Sequence, residues 1–260
     1  MLKPSFTTHG AFLNLRGGNT QAALLDLRGG GENDEFIGVA YDWATNLGAP
    51  AALVAGAVIA TLYENMASGS LDSERSDANW VKVAKKITRL LLMTAFILQI
   101  VCIFCTTILG THLLSLPAVS TKATSALEYL QMNFEFEYLT SRIAFIQGLV
   151  TWIAAVAIEH AIPQGAMETE ERRRMDVLIA SSLTTLIILM LSFYNGHMDF
   201  YKNYLDMLCQ YGKLTWKRYV YAWPPRIMTI LALPPFAISI VYFFKVFLDF
   251  DLKRGKKRSM

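Results

Sequence analysis

Charged residues and cysteines are both scarce in this chain. Asp, Glu, Lys and Arg make up 17% of its 260 residues, whereas hydrophobic residues make up 53%. A soluble domain carries about a quarter charged residues, so the apolar content exceeds what a water-soluble core needs. Three cysteines cannot form an even set of disulfides, and Cys102 and Cys105 share one apolar segment. The composition argues against a disulfide-rich secreted domain and favours a membrane protein.

Recognisable enzyme and metal-binding motifs are missing as well. No Gly-x-Ser-x-Gly, Walker or dinucleotide-binding pattern occurs where a strand would lead into a helix. His112, His197 and Asp199 are candidate ligands, but they follow no HxxxH or HExxH spacing. The sequence therefore predicts no catalytic residue, no cofactor and no metal site, and it leans against an enzyme. Nucleic acid is not an expected partner.

Five apolar windows follow one another along the chain. They lie at residues 46–63, 89–114, 143–162, 177–194 and 227–250, and we call them spans A to E. A bilayer core of roughly 30 Å needs about 20 helical residues to cross it. Because backbone in lipid must satisfy its own hydrogen bonds, each window is predicted to be a helix. We expect an all-α, polytopic membrane protein with about five transmembrane helices.

The rest of the chain divides into tails and interfacial segments. Residues 46–250 are predicted to form the helix bundle, between an N-terminal tail (1–45) and a basic C-terminal tail (251–260). Residues 125–139 and 199–211 are predicted to be amphipathic helices in the membrane interface. The second of these belongs to a loop rich in Tyr and Trp, which favour the headgroup level.

Lysine and arginine are distributed unevenly between the two sides. With five spans, one side carries thirteen of them in the A–B loop, the C–D loop and the C-terminal tail, and the other side carries ten. Basic loops stay inside, so the C terminus is predicted to face the cytosol, or the matrix or stroma of an organelle. The basic tail should bind anionic lipid. The membrane is an endomembrane or the plasma membrane, with a plastid or mitochondrial membrane as the alternative.

A near-repeat occupies the N-terminal tail, with LNLRGG at 13–18 and LDLRGG at 25–30. Each copy resembles the C-terminal tail of ubiquitin-like proteins, yet no ubiquitin-like fold precedes either one. We interpret residues 1–45 as a flexible tail, or as an organellar transit segment that is removed.

Span A carries the most specific pattern in the sequence. Small residues recur every fourth position at Gly48, Ala52, Gly56 and Ala60, and the next step is Glu64. Small faces let helices approach closely in lipid, where packing replaces the hydrophobic drive. The stripe therefore predicts a packing helix. It would contact another helix of the same chain, a second copy of the chain, or a pore axis.

Span A and two later segments resemble parts of one known protein family. AALVAGAVIATLYE at 51–64 is similar to the pore helix of the Orai calcium channels, which also ends near a glutamate. CTTILGTH at 105–112 and FYKNYL at 200–205 resemble later parts of that family. The resemblance covers about a quarter of the chain and implies an oligomeric cation channel in which Glu64 contacts the ion. A fifth span, no basic cluster before span A, and an inside position for Glu64 depart from the family pattern.

Three ionisable residues lie within or beside the other spans. Glu159 and His160 fall near the inner end of span C, and Lys245 falls at a similar depth in span E. Charged groups in lipid usually pair or serve a function. We expect Glu159 and Lys245 to form an ion pair, or Glu159 to line a polar cavity that carries protons or cations.

Three functions remain open on these grounds. The first is a non-catalytic structural or accessory subunit that packs through span A, as a homo-oligomer or within a membrane complex. The second is a channel or small transporter that uses Glu64 or Glu159. The third is a membrane enzyme that acts on a lipid.

Overall fold

A computed structural model describes residues 32–72, 77–115, 123, 125–163, 169–198, 200–221 and 227–256. Within them the chain is helical and contains no strand. Six α-helices and one short π-helix follow one another: α1 (Glu32–Ser68), α2 (Asn79–Ser115), α3 (Ala126–Ala161), α4 (Glu170–Gly196), α5 (Tyr204–Trp216), the π-helix (Lys217–Tyr221) and α6 (Ile227–Lys256). Helices α1 to α4 are each long and apolar enough to cross a membrane. The predicted all-α, polytopic membrane fold is confirmed.

The four long helices contain spans A to D but extend beyond them. Helix α1 begins at Glu32, so residues 32–45, which the sequence analysis assigned to the N-terminal tail, are helical. Hydropathy detects only the lipid-facing length, whereas here the helix continues because Ile37, Ala40 and Ala44 repeat the spacing that buries one face. Residues 1–31, which include the LRGG doublet, lie outside the described residues.

The first predicted interfacial helix is joined to span C. Residues 125–139 form the first part of α3, which Ser125 caps by accepting a hydrogen bond from the Glu128 backbone N–H at 3.2 Å. Phe134 leaves the helical region (φ −136°, ψ 36°), which marks a kink between this part and the apolar part. Tyr129 and Leu130 are buried, so the segment packs into the bundle instead of lying apart from it.

The chain divides into two compact units, at residues 1–200 and 201–260, where the sequence predicted one bundle from 46 to 250. In the first unit α1, α2 and α3 enclose the core, and α4 packs beside α3. One core cluster joins Val58 and Leu62 of α1 to Leu92 and Ala95 of α2 and Ala155 of α3. A second joins Ala51, Cys102 and Ala144.

Two glycines allow close helix contacts in the first unit. A Cβ atom on Gly148 of α3 would lie 2.6 Å from Nε2 of Gln99, and one on Gly48 of α1 would lie 2.8 Å from Oγ1 of Thr106. The Gln99 amide donates to the Phe145 carbonyl at 3.2 Å, which ties α2 to α3 in mid-bundle. Small residues thus set the spacing of α2 from its two neighbours.

The second unit contains α5, the π-helix and α6. Asn203 caps α5 by accepting from the Asp206 N–H at 2.9 Å, so this helix begins five residues later than the predicted start at 199. Helix α6 has 30 residues and contains Pro234 and Pro235. Its side chains are described for 231–245, a stretch shorter than a full span. The fifth transmembrane helix stays a prediction.

Candidate functional site

The small-residue stripe of span A lies mostly on the exposed side of α1. Ala52, Gly56 and Ala60 are exposed, and a Cβ on Gly56 would meet no atom within 4 Å. Ala49 is exposed between them and the N-terminal part of the helix. We call Ala49, Ala52, Gly56 and Ala60 the outer face of α1. None of these four side chains extends beyond a methyl group, while Leu53, 77% exposed, and Tyr63, 74% exposed, lie on the same side of α1.

The opposite side of α1 makes the contacts inside the first unit. Ala51, Ala55, Val58 and Leu62 are buried there against α2 and α3. Gly48 belongs to this side in part, because it is half-buried and close to Thr106. Among the four predicted packing residues, therefore, Gly48 takes part in the contact with α2, and the other three face away from it.

Glu64 follows the outer face toward the C-terminal end of α1 and is also exposed. It stands one helical turn beyond Ala60, at the flank of the outer face. Its neighbours Tyr63 and Met66 are 74% and 67% exposed. A carboxylate at this position is accessible to whatever covers the outer face.

Glu159 contacts α1 from α3. One of its carboxylate oxygens accepts a hydrogen bond from the Asn65 amide at 3.0 Å, and Asn65 is buried. The side-chain oxygen Oδ1 of Asn65 in turn accepts from the Ser70 hydroxyl at 2.8 Å. These bonds fix the rotation of α1 about its axis, and with it the direction of the outer face.

His160 connects α3 to α4 at the same end of the bundle. Its Nδ1 atom lies 2.9 Å from a carboxylate oxygen of Asp176, which is itself only 14% exposed. Two further ion pairs lie near this end, between Lys85 and Asp77 and between Arg89 and Asp72, each at 2.9 Å. Polar groups here are matched with one another, which is how charged residues are tolerated near lipid.

The predicted Glu159–Lys245 pair remains a prediction. The two residues belong to different compact units. In its own unit Lys245 is exposed and places its ammonium group 5.3 Å from the centroid of the Tyr242 ring. A cation over an aromatic face is weakly stabilised.

The cysteines and histidines contribute packing contacts. Cys102 is buried in the core, as expected for a thiol that acts as a small apolar side chain. His112 lies 6.4 Å from the Phe134 ring, and His197 donates from Nδ1 to the Phe193 carbonyl at 2.9 Å. Among the residues that the structure describes, no three His, Cys, Asp or Glu side chains are grouped as a metal site would require. Asp199 lies outside these residues.

Sequence reasoning missed three residues that the structure brings into contact across helices. Asn65 and Asp176 are the partners of Glu159 and His160, and they went unnoticed because helix pairing is invisible in a single sequence. The third is Arg142, which hydrogen-bonds to Tyr138 and Tyr194 at the other end of the α3–α4 pair. A signal for Arg142 was present, since it directly precedes a long uncharged run and follows Tyr138 by one helical turn.

Comparison with known proteins yields no match: no family model fits the chain, and no curated protein or solved structure is significantly similar. The Orai-like segments fall on α1, on α2 and on the residues that lead into α5, and the resemblance stays a hypothesis.

Proposed function

We propose that this protein is a non-catalytic subunit of a membrane assembly and that it joins its neighbours through the outer face of α1. The observation that carries the proposal is the exposure of Ala52, Gly56 and Ala60 on the side of α1 that faces away from α2 and α3. Helices in lipid associate where small residues allow backbones to approach, because packing at short range supplies the attraction.

The remaining exposed apolar surface of the first unit supports the same assignment. Helix α4 has no buried residue, and it exposes both large apolar side chains and small ones such as Ser182 and Thr185. The large ones include Leu178, Leu186, Ile188, Leu189 and Phe193. Large flexible apolar chains suit contact with lipid tails. The small side chains on α1 suit contact with another helix, so the two faces have different partners.

Cysteine crosslinking tests the proposal directly. In a Cys209→Ser background, Ala52→Cys and Ala60→Cys place thiols on the outer face, while Ala55→Cys places one on the buried side of the same helix. We expect disulfide-linked dimers from the first two variants under mild oxidation and none from Ala55→Cys. Equal crosslinking from all three variants, or none from any, would contradict assembly through this face.

A second candidate function is a cation channel formed by several copies of α1 around an axis. The observation that favours it is the exposed carboxylate of Glu64 beside Ala60, at the end of the outer face. In that arrangement a ring of carboxylates would lie at one mouth of the pore and attract cations. Calcium flux into liposomes that contain the protein would be measured for the wild type, Glu64→Gln and Glu171→Gln. Flux that only Glu64→Gln abolishes supports the channel, and no flux from the wild type removes it.

A further inference from the structure

Arg142 introduces a positive charge where α3 becomes apolar. The sixteen residues after it, from 143 to 158, contain no charged side chain. Arg142 itself is half-buried, since Tyr138 of its own helix and Tyr194 of α4 lie against it. The guanidinium group is therefore held at the boundary between polar and apolar parts of the bundle.

Aromatic rings enclose this guanidinium. Its central carbon lies 5.3 Å from the centroid of the Tyr138 ring and 5.4 Å from that of Tyr194. Nη1 donates to the Tyr138 hydroxyl, and the Tyr194 hydroxyl is a second hydrogen-bond partner. Trp43 of α1 lies behind Tyr138, with ring centroids 5.1 Å apart. Tyr138 and Tyr194 therefore orient the guanidinium from α3 and α4, and Trp43 supports the Tyr138 ring from α1.

The contacts of Arg142 leave its charge unbalanced. Ion pairs in the first unit join Lys85 to Asp77, Arg89 to Asp72, His160 to Asp176, and Arg174 to Glu170. Arg142 belongs to none of them, and its described electrostatic partners are two neutral hydroxyls. A guanidinium has five N–H donors in a fixed fork, so most of its donors remain available to an anion.

The surroundings indicate the level at which that anion would lie. Tyr and Trp side chains favour the headgroup region of a bilayer, and Tyr138, Tyr194 and Trp43 lie within one aromatic cluster around Arg142. Phosphate is the anion of that region, and the planar fork of a guanidinium matches two of its oxygens. We infer that Arg142, oriented by Tyr138 and Tyr194, is a phosphate-binding site whose ligand is the phosphate of a membrane phospholipid.

Native mass spectrometry of the delipidated full-length protein in mild detergent tests this inference. The protein is titrated with phosphatidylglycerol and, separately, with diacylglycerol of the same acyl chains, which lacks the phosphate. Arg142→Gln removes the charge, Arg142→Lys keeps the charge without the fork, and Tyr194→Phe keeps the ring without the hydroxyl. Arg173→Gln is the matched control, because this exposed arginine lies at the opposite end of α4.

The expected result is a phosphatidylglycerol adduct on the wild type and on Arg173→Gln. Affinity should fall about tenfold or more in Arg142→Gln, since a charge-assisted pair of hydrogen bonds is lost. Arg142→Lys should bind with intermediate affinity. Tyr194→Phe should weaken binding by a smaller factor. If Arg142→Gln does not fold, the affinity of Tyr194→Phe for phosphatidylglycerol tests the inference in its place.

Competition with inorganic phosphate distinguishes the two sources of the ligand. Displacement of the lipid at millimolar phosphate would identify phosphate itself as a sufficient ligand, and persistence of the adduct would assign the site to the lipid headgroup. The inference is overturned if diacylglycerol binds as tightly as phosphatidylglycerol. Unchanged affinity in both Arg142→Gln and Tyr194→Phe would overturn it equally.

Discussion

The outer face of α1 and the exposed side of α4 differ in the size of their side chains. The outer face of α1 consists of Ala49, Ala52, Gly56 and Ala60, whereas α4 exposes large apolar side chains such as Ile188, at 63%, and Leu189, at 61%. Both belong to helices long enough to cross a membrane. A lipid tail accommodates a rough surface, but another helix needs a smooth one to come close. Under the proposed function, the outer face of α1 contacts protein and the exposed side of α4 contacts lipid.

A contact inside the same unit shows how closely two helices approach where a side chain is missing. Where α3 carries Gly148, the Gln99 side chain of α2 comes so near that a Cβ atom would lie 2.6 Å from it. Gly56 has the same lack of side chain, with open space in front of it. If that space is filled in the assembled protein, a neighbouring helix is the natural occupant.

The largest loss of stability is expected from a substitution at Gly148, inside the contact between α2 and α3. Gly148→Leu forces a side chain into Gln99 and Leu98, so α2 and α3 must separate or shift. Overpacking of this kind costs about 3 kcal/mol or more where the backbone has to move. The fraction of monodisperse protein in detergent and its thermal unfolding temperature measure the loss. Wild-type behaviour of Gly148→Leu would mean that close glycine contacts do not define this bundle, which would also weaken the argument for α1.

A smaller loss of stability is expected from a substitution of Asn65, whose hydrogen bond to Glu159 fixes the rotation of α1. Asn65→Ala removes the donor to Glu159, and the double mutant with Glu159→Ala allows the coupling between the two residues to be measured. Interhelical hydrogen bonds in membrane proteins are worth about 0.6 kcal/mol on average and at most about 1.7 kcal/mol, so we expect coupling in that range. Additive single effects would show that this bond does not orient the helix.

The smallest change in stability is expected from substitutions of exposed side chains on α4. Ile188→Ala and Leu189→Ala shorten exposed side chains, and each should change the unfolding free energy by no more than about 0.5 kcal/mol. The mass of the detergent-solubilised protein should stay the same. A change of oligomeric state in either variant would abolish the distinction between the two faces, because α4 would then also contact protein.

The sequence predicted the helical class and the location of four membrane helices, because apolar runs of this length have few alternatives. It did not show that α1 begins at Glu32 or that residues 125–139 continue into span C, since Ile37, Ala40, Tyr129 and Leu130 are buried by protein contacts that hydropathy does not record. The chain was also expected to form one bundle, and the division after Phe200 depends on contacts between helices.

The sequence predicted which small residues form the stripe on α1, but it did not predict the direction in which the stripe faces. The four-residue spacing of the stripe is explicit in the sequence, yet which side of α1 faces α2 is decided by Ala51, Ala55 and Val58 just one step around the helix. The same limitation concealed the partners of Glu159, His160 and Arg142. A pair that meets across two helices leaves no local pattern for the sequence to show.

If the outer face of α1 contacts other protein, the mass of the protein in mild detergent depends on that face. Gly56→Leu adds volume where the first unit has open space, so its monomer should fold with the wild-type unfolding temperature. We expect the wild type and Ile188→Ala to elute as oligomers and Gly56→Leu to elute as a folded monomer. A Gly56→Leu protein that keeps the wild-type oligomeric mass and stability would contradict the claim.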